Sequence, residues 1–130
     1  MAQLIDLKIE EFDRALTALE SVINRDDIAA DILRDSALLR FEFTTERTWK
    51  TLKEYLAEKG GQEASVPKMT YREALRLRLL TPEETETLLA MVDDRNRLAH
   101  DYSESFSKGL FTRVKENYAP LLRKLLNSLR

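Results

Sequence analysis

Apolar side chains recur at steps of three and four residues along nearly the whole of this chain. This spacing lines one face of an α-helix, whereas a half-buried strand needs alternation with a period of two. No stretch of the sequence alternates for long enough to predict a strand, so the pattern restricts the chain to an all-α fold. In the first helix, predicted from about Leu4 to Asn24, the apolar positions are Ile5, Ile9, Phe12, Leu16, Leu19 and Ile23.

The few glycines and prolines divide this pattern into separate helices. Gly60 and Gly61 end a long second helix. Pro120 falls inside the last helix, where it removes a backbone donor and predicts a kink. We therefore predict one domain, residues 1–130, folded as a four-helix up-down bundle with an additional short helix. The predicted elements after the first are a helix from about Asp27 to Lys59, a short helix after Pro67, a helix that begins near Pro82 with Thr81 as its N-cap, and a helix from about Glu104 to Leu129.

The balance of charges excludes a general attraction to nucleic acid. Lysine and arginine total 21 against 23 aspartates and glutamates, a formal net charge of -2, so any RNA contact has to come from a local patch. No apolar run approaches the ~20 residues that span a bilayer, and no membrane association is expected. The absence of cysteine excludes disulfides and fits a cytoplasmic location.

A short polar run from Asp93 to Tyr102 carries the most chemistry. His100 is the single histidine of the chain, and histidine is the residue type that exchanges a proton most readily near neutral pH. Arg95 and Arg97 could hold a phosphate through paired donors. These groups suit cleavage of a phosphodiester, in which an arginine stabilises the charge on the phosphate while a histidine moves a proton.

Helix geometry limits how this run can act. Five residues at roughly 100° each place Arg95 and His100 about 140° apart on one continuous helix. The two side chains can therefore meet only if the helix ends between them, or if a second subunit completes the site. A homodimer with paired motifs at its seam satisfies the second condition.

The same residues also have a purely structural interpretation. A histidine near a helix C-terminus interacts favourably with the last carbonyls and the helix dipole. Asp93 and Arg97 are one turn apart and could form a surface ion pair. One histidine and scattered carboxylates do not make a metal-ligand set, so no metal site is predicted.

The second helix offers weaker candidates. Arg40, Glu42 and Glu46 are expected on a solvated charged face, and any of them could instead point into a site. Trp49 and Phe41 are expected in the core. Phe43 is expected to widen the apolar seam of this helix.

At this point the residues resemble a known family. The run Arg95-Asn96-x-x-x-His100-x-Tyr102 resembles the Arg-x-x-x-x-His-x-Tyr signature of HEPN domains. The rest of the chain resembles the small nucleotidyltransferase substrate-binding proteins, also described as HepT-like toxins of HepT/MntA-type toxin–antitoxin pairs. The segments that carry this likeness, over nearly the whole chain, are residues 34–44, residues 46–56, Pro67, residues 72–74 and residues 94–96. Two positions depart from the family pattern: Arg78 stands where a turn glycine is expected, and Thr87 where a tryptophan is common.

The resemblance implies a four-helix-bundle homodimer that binds a separately encoded minimal nucleotidyltransferase, its antitoxin. It implies that some relatives are metal-independent endoribonucleases, which makes Arg95 and His100 the candidate catalytic residues, with Asn96 and Asp101 in support. It also implies that the partner transfers AMP from ATP to Tyr102 and so silences the toxin. The ATP and Mg²⁺ would be used by the partner, and this chain would need no cofactor.

Two further readings stay open. Arg97 and Arg40 are candidates for contact with RNA or with the partner, and they would join Arg95 in a basic cleft. The chain could instead be a non-catalytic subunit that binds the nucleotidyltransferase, or a plain structural dimer.

Overall fold

Residues 3–130 are described by the computed structural model, and they fold into helices joined by short loops, with no strand among them. The all-α prediction is confirmed. Because α5, a π-helical turn and α6 follow one another without a loop, they form the long final helix that the sequence predicts, and α3 is the predicted additional short helix. The elements are α1 (Leu4–Ile23), α2 (Ala30–Glu58), α3 (Pro67–Arg76), α4 (Pro82–Leu98), α5 (Glu104–Arg113), the π turn (Val114–Tyr118) and α6 (Ala119–Leu129).

A side-chain cap marks the start of α4, whereas α2 begins without one. The Thr81 hydroxyl accepts the Glu84 N–H at 3.1 Å, and the Glu84 carboxylate accepts the Thr81 N–H at 2.9 Å. This reciprocal capping box confirms Thr81 as the N-cap of α4. The second helix starts at Ala30, later than the predicted Asp27. Asp27 lies before the helix and forms an exposed two-point ion pair with Arg25 at 2.7 and 2.8 Å.

Two helices end in the same hydrogen-bonded motif, with different residues at its left-handed position. After α2, Gly60 has a φ of 77°, and the next N–H donates back to the Leu56 carbonyl at 2.8 Å. After α3, Arg78 has a φ of 64°, and the next N–H donates back to the Ala74 carbonyl at 2.9 Å. Such bonds define the Schellman motif, whose left-handed position favours glycine. The turn glycine that the resemblance led us to expect is therefore replaced by an arginine in the same backbone conformation.

The core lies where α1, α2, α4 and the final helix face one another. Phe41 is fully buried there, as predicted. Phe43 is 55% exposed, so the prediction that it widens the buried seam of α2 is wrong. No helix within residues 3–130 combines the length and the apolarity needed to cross a membrane. The fully buried core side chains include Phe12, Leu16, Leu19, Leu52, Leu88, Met91, Leu110, Leu122 and Leu126.

Threonines let α1 and α2 pack closely. Thr44 and Thr48 are fully buried, and Thr51 is 1% exposed. The Thr44 hydroxyl donates to the Ala15 carbonyl of α1 at 3.2 Å or the Arg40 carbonyl of its own helix at 2.7 Å. Because each buried hydroxyl finds a backbone acceptor, polar residues are tolerated in a seam that the apolar pattern alone would not identify.

The final helix widens just before its proline. The Ala119 N–H donates to the Val114 carbonyl, five residues back, which is the bond of a π-helix. Pro120 follows directly and has no N–H to donate. The predicted irregularity at Pro120 therefore takes the form of a π turn, and Arg113 and Tyr118 at its two ends both reach across to α4.

Ion pairs close the bundle between its first and last helices. The Arg123 guanidinium contacts Glu20 at 2.5 Å and Asp13 at 3.1 Å. Arg130 contacts the same Asp13 at 2.6 Å. These contacts join residues more than a hundred positions apart, and they fix α6 against α1.

Candidate functional site

The polar run lies where α4 ends. Arg95 and Asn96 are in the last turn of α4, which finishes at Leu98. The His100 N–H donates to the Arg97 carbonyl at 3.1 Å, so the chain turns out of the helix at this point. The helix therefore ends between Arg95 and His100. This is one of the two alternative arrangements that would allow their side chains to act together.

Asp101 holds the loop between α4 and α5 in place. Its carboxylate accepts the Arg97 Nε–H at 2.8 Å and the Ser103 N–H at 3.0 Å. The hydrogen bonds from Ser103, followed by the one from Arg97, lower the pKa of Asp101 to about 2. Ser103 in turn caps α5 by accepting the Phe106 N–H. Asp101 thus acts on its neighbours by fixing the backbone on both sides of Tyr102.

Arg97 forms two contacts with other side chains of its own chain. Besides its ion pair with Asp101, its guanidinium lies over the Phe106 ring, 4.3 Å from the ring centroid. The ion pair considered between Asp93 and Arg97 does not form, because Asp93 instead contacts Lys68 of α3 at 2.6 Å. Arg97 keeps its side chain 58% exposed, so one face of the guanidinium remains open to solvent.

His100 and Tyr102 are both exposed on the α4–α5 loop. Tyr102 is 82% exposed, the largest value among the exposed large apolar and aromatic side chains of the described residues. Its hydroxyl donates to the Ala99 carbonyl at 3.3 Å, a long and easily broken bond. An aromatic residue so exposed on an anchored loop is available to a second molecule.

Arg95 lies against α2, beside two carboxylates. Its guanidinium is 4.0 Å from Glu42, a loose ion pair, and its charge also acts on Glu46. Glu46 accepts the Trp49 indole N–H at 3.2 Å and pairs with Lys50 at 2.8 Å. The interpretation of these glutamates as part of a solvated face is wrong, since both are partly buried next to the motif.

Trp49 also differs from its predicted place. It is half-buried and lines a cavity of about 210 Å³ between α2, α3 and α4, and it does not sit in the core. Arg95 and Asn96 form part of the wall of the same cavity. The cavity therefore connects the second helix to the motif, a relation that no local sequence pattern contains.

Arg40 lies apart from the motif within one chain. Its guanidinium donates to the Ala18 carbonyl of α1 at 2.6 Å, and it lines a second cavity of about 320 Å³ with Arg14 and Arg47. Glu42 is two positions after Arg40, or roughly 200° further around a helix, so the two side chains point to different neighbours. The predicted basic cleft that unites Arg40 with Arg95 does not form in a single chain.

Sequence reasoning missed the role of Asp94. Its carboxylate accepts two hydrogen bonds from Arg113, at 2.8 and 3.0 Å, and one from the Tyr118 hydroxyl at 2.5 Å. Burial, and next the hydrogen bond to Asp94, raises the pKa of Tyr118. The available signal was Tyr118 itself, because a tyrosine in a buried stripe needs a partner for its hydroxyl. This network fixes α4 against the π turn, immediately before Arg95.

This site offers a group that can transfer a proton and a cation that can bind phosphate. His100 and Arg95 supply the two groups, and the described part of the chain contains no cluster of three or more histidine, aspartate or glutamate side chains that could hold a metal. A single chain presents one histidine. A reaction that needs both a general acid and a general base would draw on a second copy.

Comparison with known proteins gives a consistent assignment. The family model described as nucleotidyltransferase substrate binding protein like matches residues 7–130. No curated protein matches the sequence. A crystal structure of a Thermus thermophilus protein is 39% identical, with a TM-score of 0.84 over 92% of this chain and 98% of that chain.

Two more distant structures share the fold. The tri-AMPylated Shewanella oneidensis HEPN toxin, in complex with MNT antitoxin, is 18% identical with a TM-score of 0.76, covering 99% of this chain and 98% of that chain. A toxin–antitoxin structure with AMP-PNP is 17% identical with a TM-score of 0.77, covering all of both chains, 100% each. At these identities the likeness shows the HEPN fold alone.

Proposed function

This chain belongs to the family described as nucleotidyltransferase substrate binding protein like, and from that premise we propose that it is the toxin of a toxin–antitoxin pair. In this proposal it is a metal-independent endoribonuclease, and a partner minimal nucleotidyltransferase silences it by AMPylation of Tyr102. The observation that carries the proposal is the 82% exposed Tyr102, held two residues from the exposed His100. One loop thus presents both a proton-transfer group and a site where it could be blocked.

The modification is a transfer of an adenylyl group. The Tyr102 oxygen would attack the α-phosphorus of ATP bound to the partner, the new oxygen–phosphorus bond would form, and pyrophosphate would leave. The phenolic proton would pass to a base of the partner. The long bond from Tyr102 to the Ala99 carbonyl does not oppose this, because rotation of the exposed ring breaks it at little cost. The Asp101 contacts keep the loop backbone in position for the partner.

The nuclease reaction would use groups of two chains. The 2′-hydroxyl of RNA would attack the adjacent phosphorus, and the 5′-oxygen of the next nucleotide would leave. A histidine removes the proton from the first oxygen, a histidine donates one to the second, and Arg95 stabilises the charge on the phosphate between them. Since each chain has one histidine, a homodimer would supply both. An AMP group on Tyr102 would add negative charge beside His100 and would repel the RNA backbone.

The first experiment expresses the chain alone and follows growth and RNA integrity. We expect arrest and RNA loss for the wild type, and neither for Arg95→Ala or His100→Ala, with all three proteins folded. Co-expression with the proposed partner nucleotidyltransferase should restore growth and add the mass of one or more AMP units. Tyr102→Phe should gain no mass, and a mass gain in this variant would show that the acceptor is another residue.

A second candidate is a non-catalytic subunit that only binds the nucleotidyltransferase. It is favoured by the surroundings of Arg95, because Glu42 at 4.0 Å and the nearby charge of Glu46 compete with a phosphate for the guanidinium. Equal growth and intact RNA with the wild type and with His100→Ala would select this function. Co-purification of the partner with both proteins would then identify the complex as the functional form.

A further inference from the structure

The cavity beside Arg95 has the size of a site for one small ring system. It measures about 210 Å³, below the roughly 300–1,000 Å³ of clefts that take drug-sized ligands. Arg95 and Asn96 form part of its wall, so whatever occupies it lies next to the guanidinium that would hold a phosphate. A nucleotide whose phosphate contacts Arg95 has its base within reach of this cavity.

The wall of the cavity is largely aromatic and apolar. Trp49 and Tyr71 contribute rings from α2 and α3, and Met91 and Val92 contribute apolar surface from α4. Flat aromatic side chains are the usual stacking partners of single-stranded RNA bases. Trp49 is half-buried, so part of the indole is free to contact a ligand.

Tyr71 adds a hydroxyl group to this wall. The residue is only 1% exposed and lines the cavity. Burial raises the pKa of Tyr71, so the hydroxyl keeps its proton. Among the described residues, Arg34 Nε is the one fully buried polar side-chain atom without a hydrogen-bond partner, so the Tyr71 hydroxyl is not sealed off from the cavity that its residue lines. A carbonyl oxygen of a ligand in the cavity would accept a hydrogen bond from it.

Glu46 adds a carboxylate with unused acceptor capacity. One of its oxygens accepts from Trp49 at 3.2 Å and the other contacts Lys50 at 2.8 Å. A carboxylate has about four acceptor positions, so each oxygen can take a further donor. The Lys50 hydrogen bond lowers the pKa of Glu46, which therefore stays ionised and can only accept.

We propose that this cavity binds a guanine base of the RNA, with Glu46 paired to its Watson–Crick edge and Trp49 stacked on its ring. Guanine alone among the RNA bases carries two adjacent donors, N1–H and the N2 amino group, which match the two oxygens of one carboxylate. Its O6 is an acceptor for the Tyr71 hydroxyl. Adenine and cytosine offer one amino group and uracil one ring N–H, so each leaves part of Glu46 unpaired.

The role of the guanine site in RNA cleavage rests on the proposed nuclease function. In that function, Glu46 and Trp49 would be specificity-determining residues. The base that Glu46 holds would be attached to the nucleotide whose phosphate lies on Arg95. Cleavage should therefore occur at phosphates next to guanine.

The binding step can be measured without cleavage, because Trp49 is the single tryptophan of the chain and reports directly on the cavity. We would titrate the folded protein with the 5′-monophosphates of guanosine, adenosine, cytidine and uridine and follow the indole fluorescence. Guanosine monophosphate should change the signal at the lowest concentration. Glu46→Gln should weaken its binding roughly 5- to 150-fold, the cost of losing a bidentate base contact.

Glu42→Gln is the matched control, since Glu42 also lies near Arg95 but does not line the cavity. It should keep the preference for guanosine monophosphate. An unchanged signal with all four nucleotides, or an equal response to all four, would overturn the inference. So would the same affinity for guanosine monophosphate in Glu46→Gln and the wild type.

The two proposals fail in different ways. RNA cleavage without a preference for guanine would leave the nuclease in place and remove the guanine site. Selective binding of guanosine monophosphate by a protein that leaves RNA intact would support the guanine site and remove the nuclease.

Discussion

At the scale of single residues, the clearest departure from local preference is Arg78. An arginine adopts the left-handed conformation at the end of α3, in the same motif that uses Gly60 at the end of α2. A side chain with a Cβ pays a steric penalty there that glycine does not. The sequence could indicate this position only through the missing turn glycine, since arginine itself gives no signal for a positive φ.

We expect Arg78→Gly to stabilise the protein by about 0.5–1 kcal/mol, because relief of the left-handed strain exceeds the entropy that glycine adds to the unfolded chain. The measurement is the free energy of unfolding in urea. Gly60→Ala is the reciprocal control: nothing lies within 4 Å of the added Cβ, so its expected loss of about 1 kcal/mol comes from the backbone alone. A lower stability for Arg78→Gly would mean that the exposed arginine side chain makes a contribution larger than the strain.

At the scale of elements, Glu73 connects α3 to the loop after α2. Its side chain is 7% exposed, and it accepts the Gln62 N–H at 2.6 Å and two hydrogen bonds from Arg76 at 2.6 and 2.7 Å. Arg76, and then the Gln62 N–H, lowers the pKa of Glu73 to about 2. Because the ionised form is the one that the fold stabilises, this contact depends on pH.

The direction of this pKa shift decides whether the protein gains or loses stability as the pH falls. Glu73 titrates near 4.5 when unfolded and about 2 when folded, so its contribution is complete above pH 4.5 and is lost as the pH falls toward 2. We expect the unfolding free energy of the wild type to fall more steeply over this range than that of Glu73→Gln. Urea titrations at several pH values measure this. Glu63→Gln, an exposed change in the same loop, should keep the slope of the wild type, and a wild-type slope in Glu73→Gln would refute the role of this contact.

The helices themselves were predictable from the sequence, and their irregularities were predictable only in part. Apolar spacing found every long helix, and Thr81 and Gly60 marked ends that the structure confirms. Pro120 indicated a disturbance but not its form, because a π turn depends on what Arg113 and Tyr118 reach on α4. Partners separated by many positions leave no trace in a local pattern.

At the scale of the whole molecule, the candidate site was also only partly predictable from the sequence. Residues of the polar run were found from their types and spacing, but the neighbours that α2 brings to Arg95 were not. Glu42 and Glu46 looked like ordinary surface charges, and only the packing of α2 on α4 puts them beside the motif. Arg40 was grouped with Arg95 by charge, whereas the turn of α2 sends it to α1.

If the two histidines of a homodimer act on the same phosphate, one substituted chain should inactivate the whole dimer. A mixed dimer of the wild type with His100→Ala would keep one histidine, and the proposed reaction needs a general base and a general acid together. We therefore expect purified mixed dimers carrying different tags to cleave RNA at far less than half the rate of the wild-type dimer. A rate of about half would assign the complete site to a single chain, since the wild-type half would then act alone.

The ion pairs between α6 and α1 have a consequence for synthesis on the ribosome. Asp13 is translated early, and the arginines that hold it, Arg123 and Arg130, are translated more than a hundred residues later. During elongation α1 can pack against α2, but the contact between α1 and α6 can form only after α6 has left the exit tunnel. A message cut before the codons of α6 would yield an open bundle, which cellular proteases degrade, so the final structure forms only on chains that include this last helix.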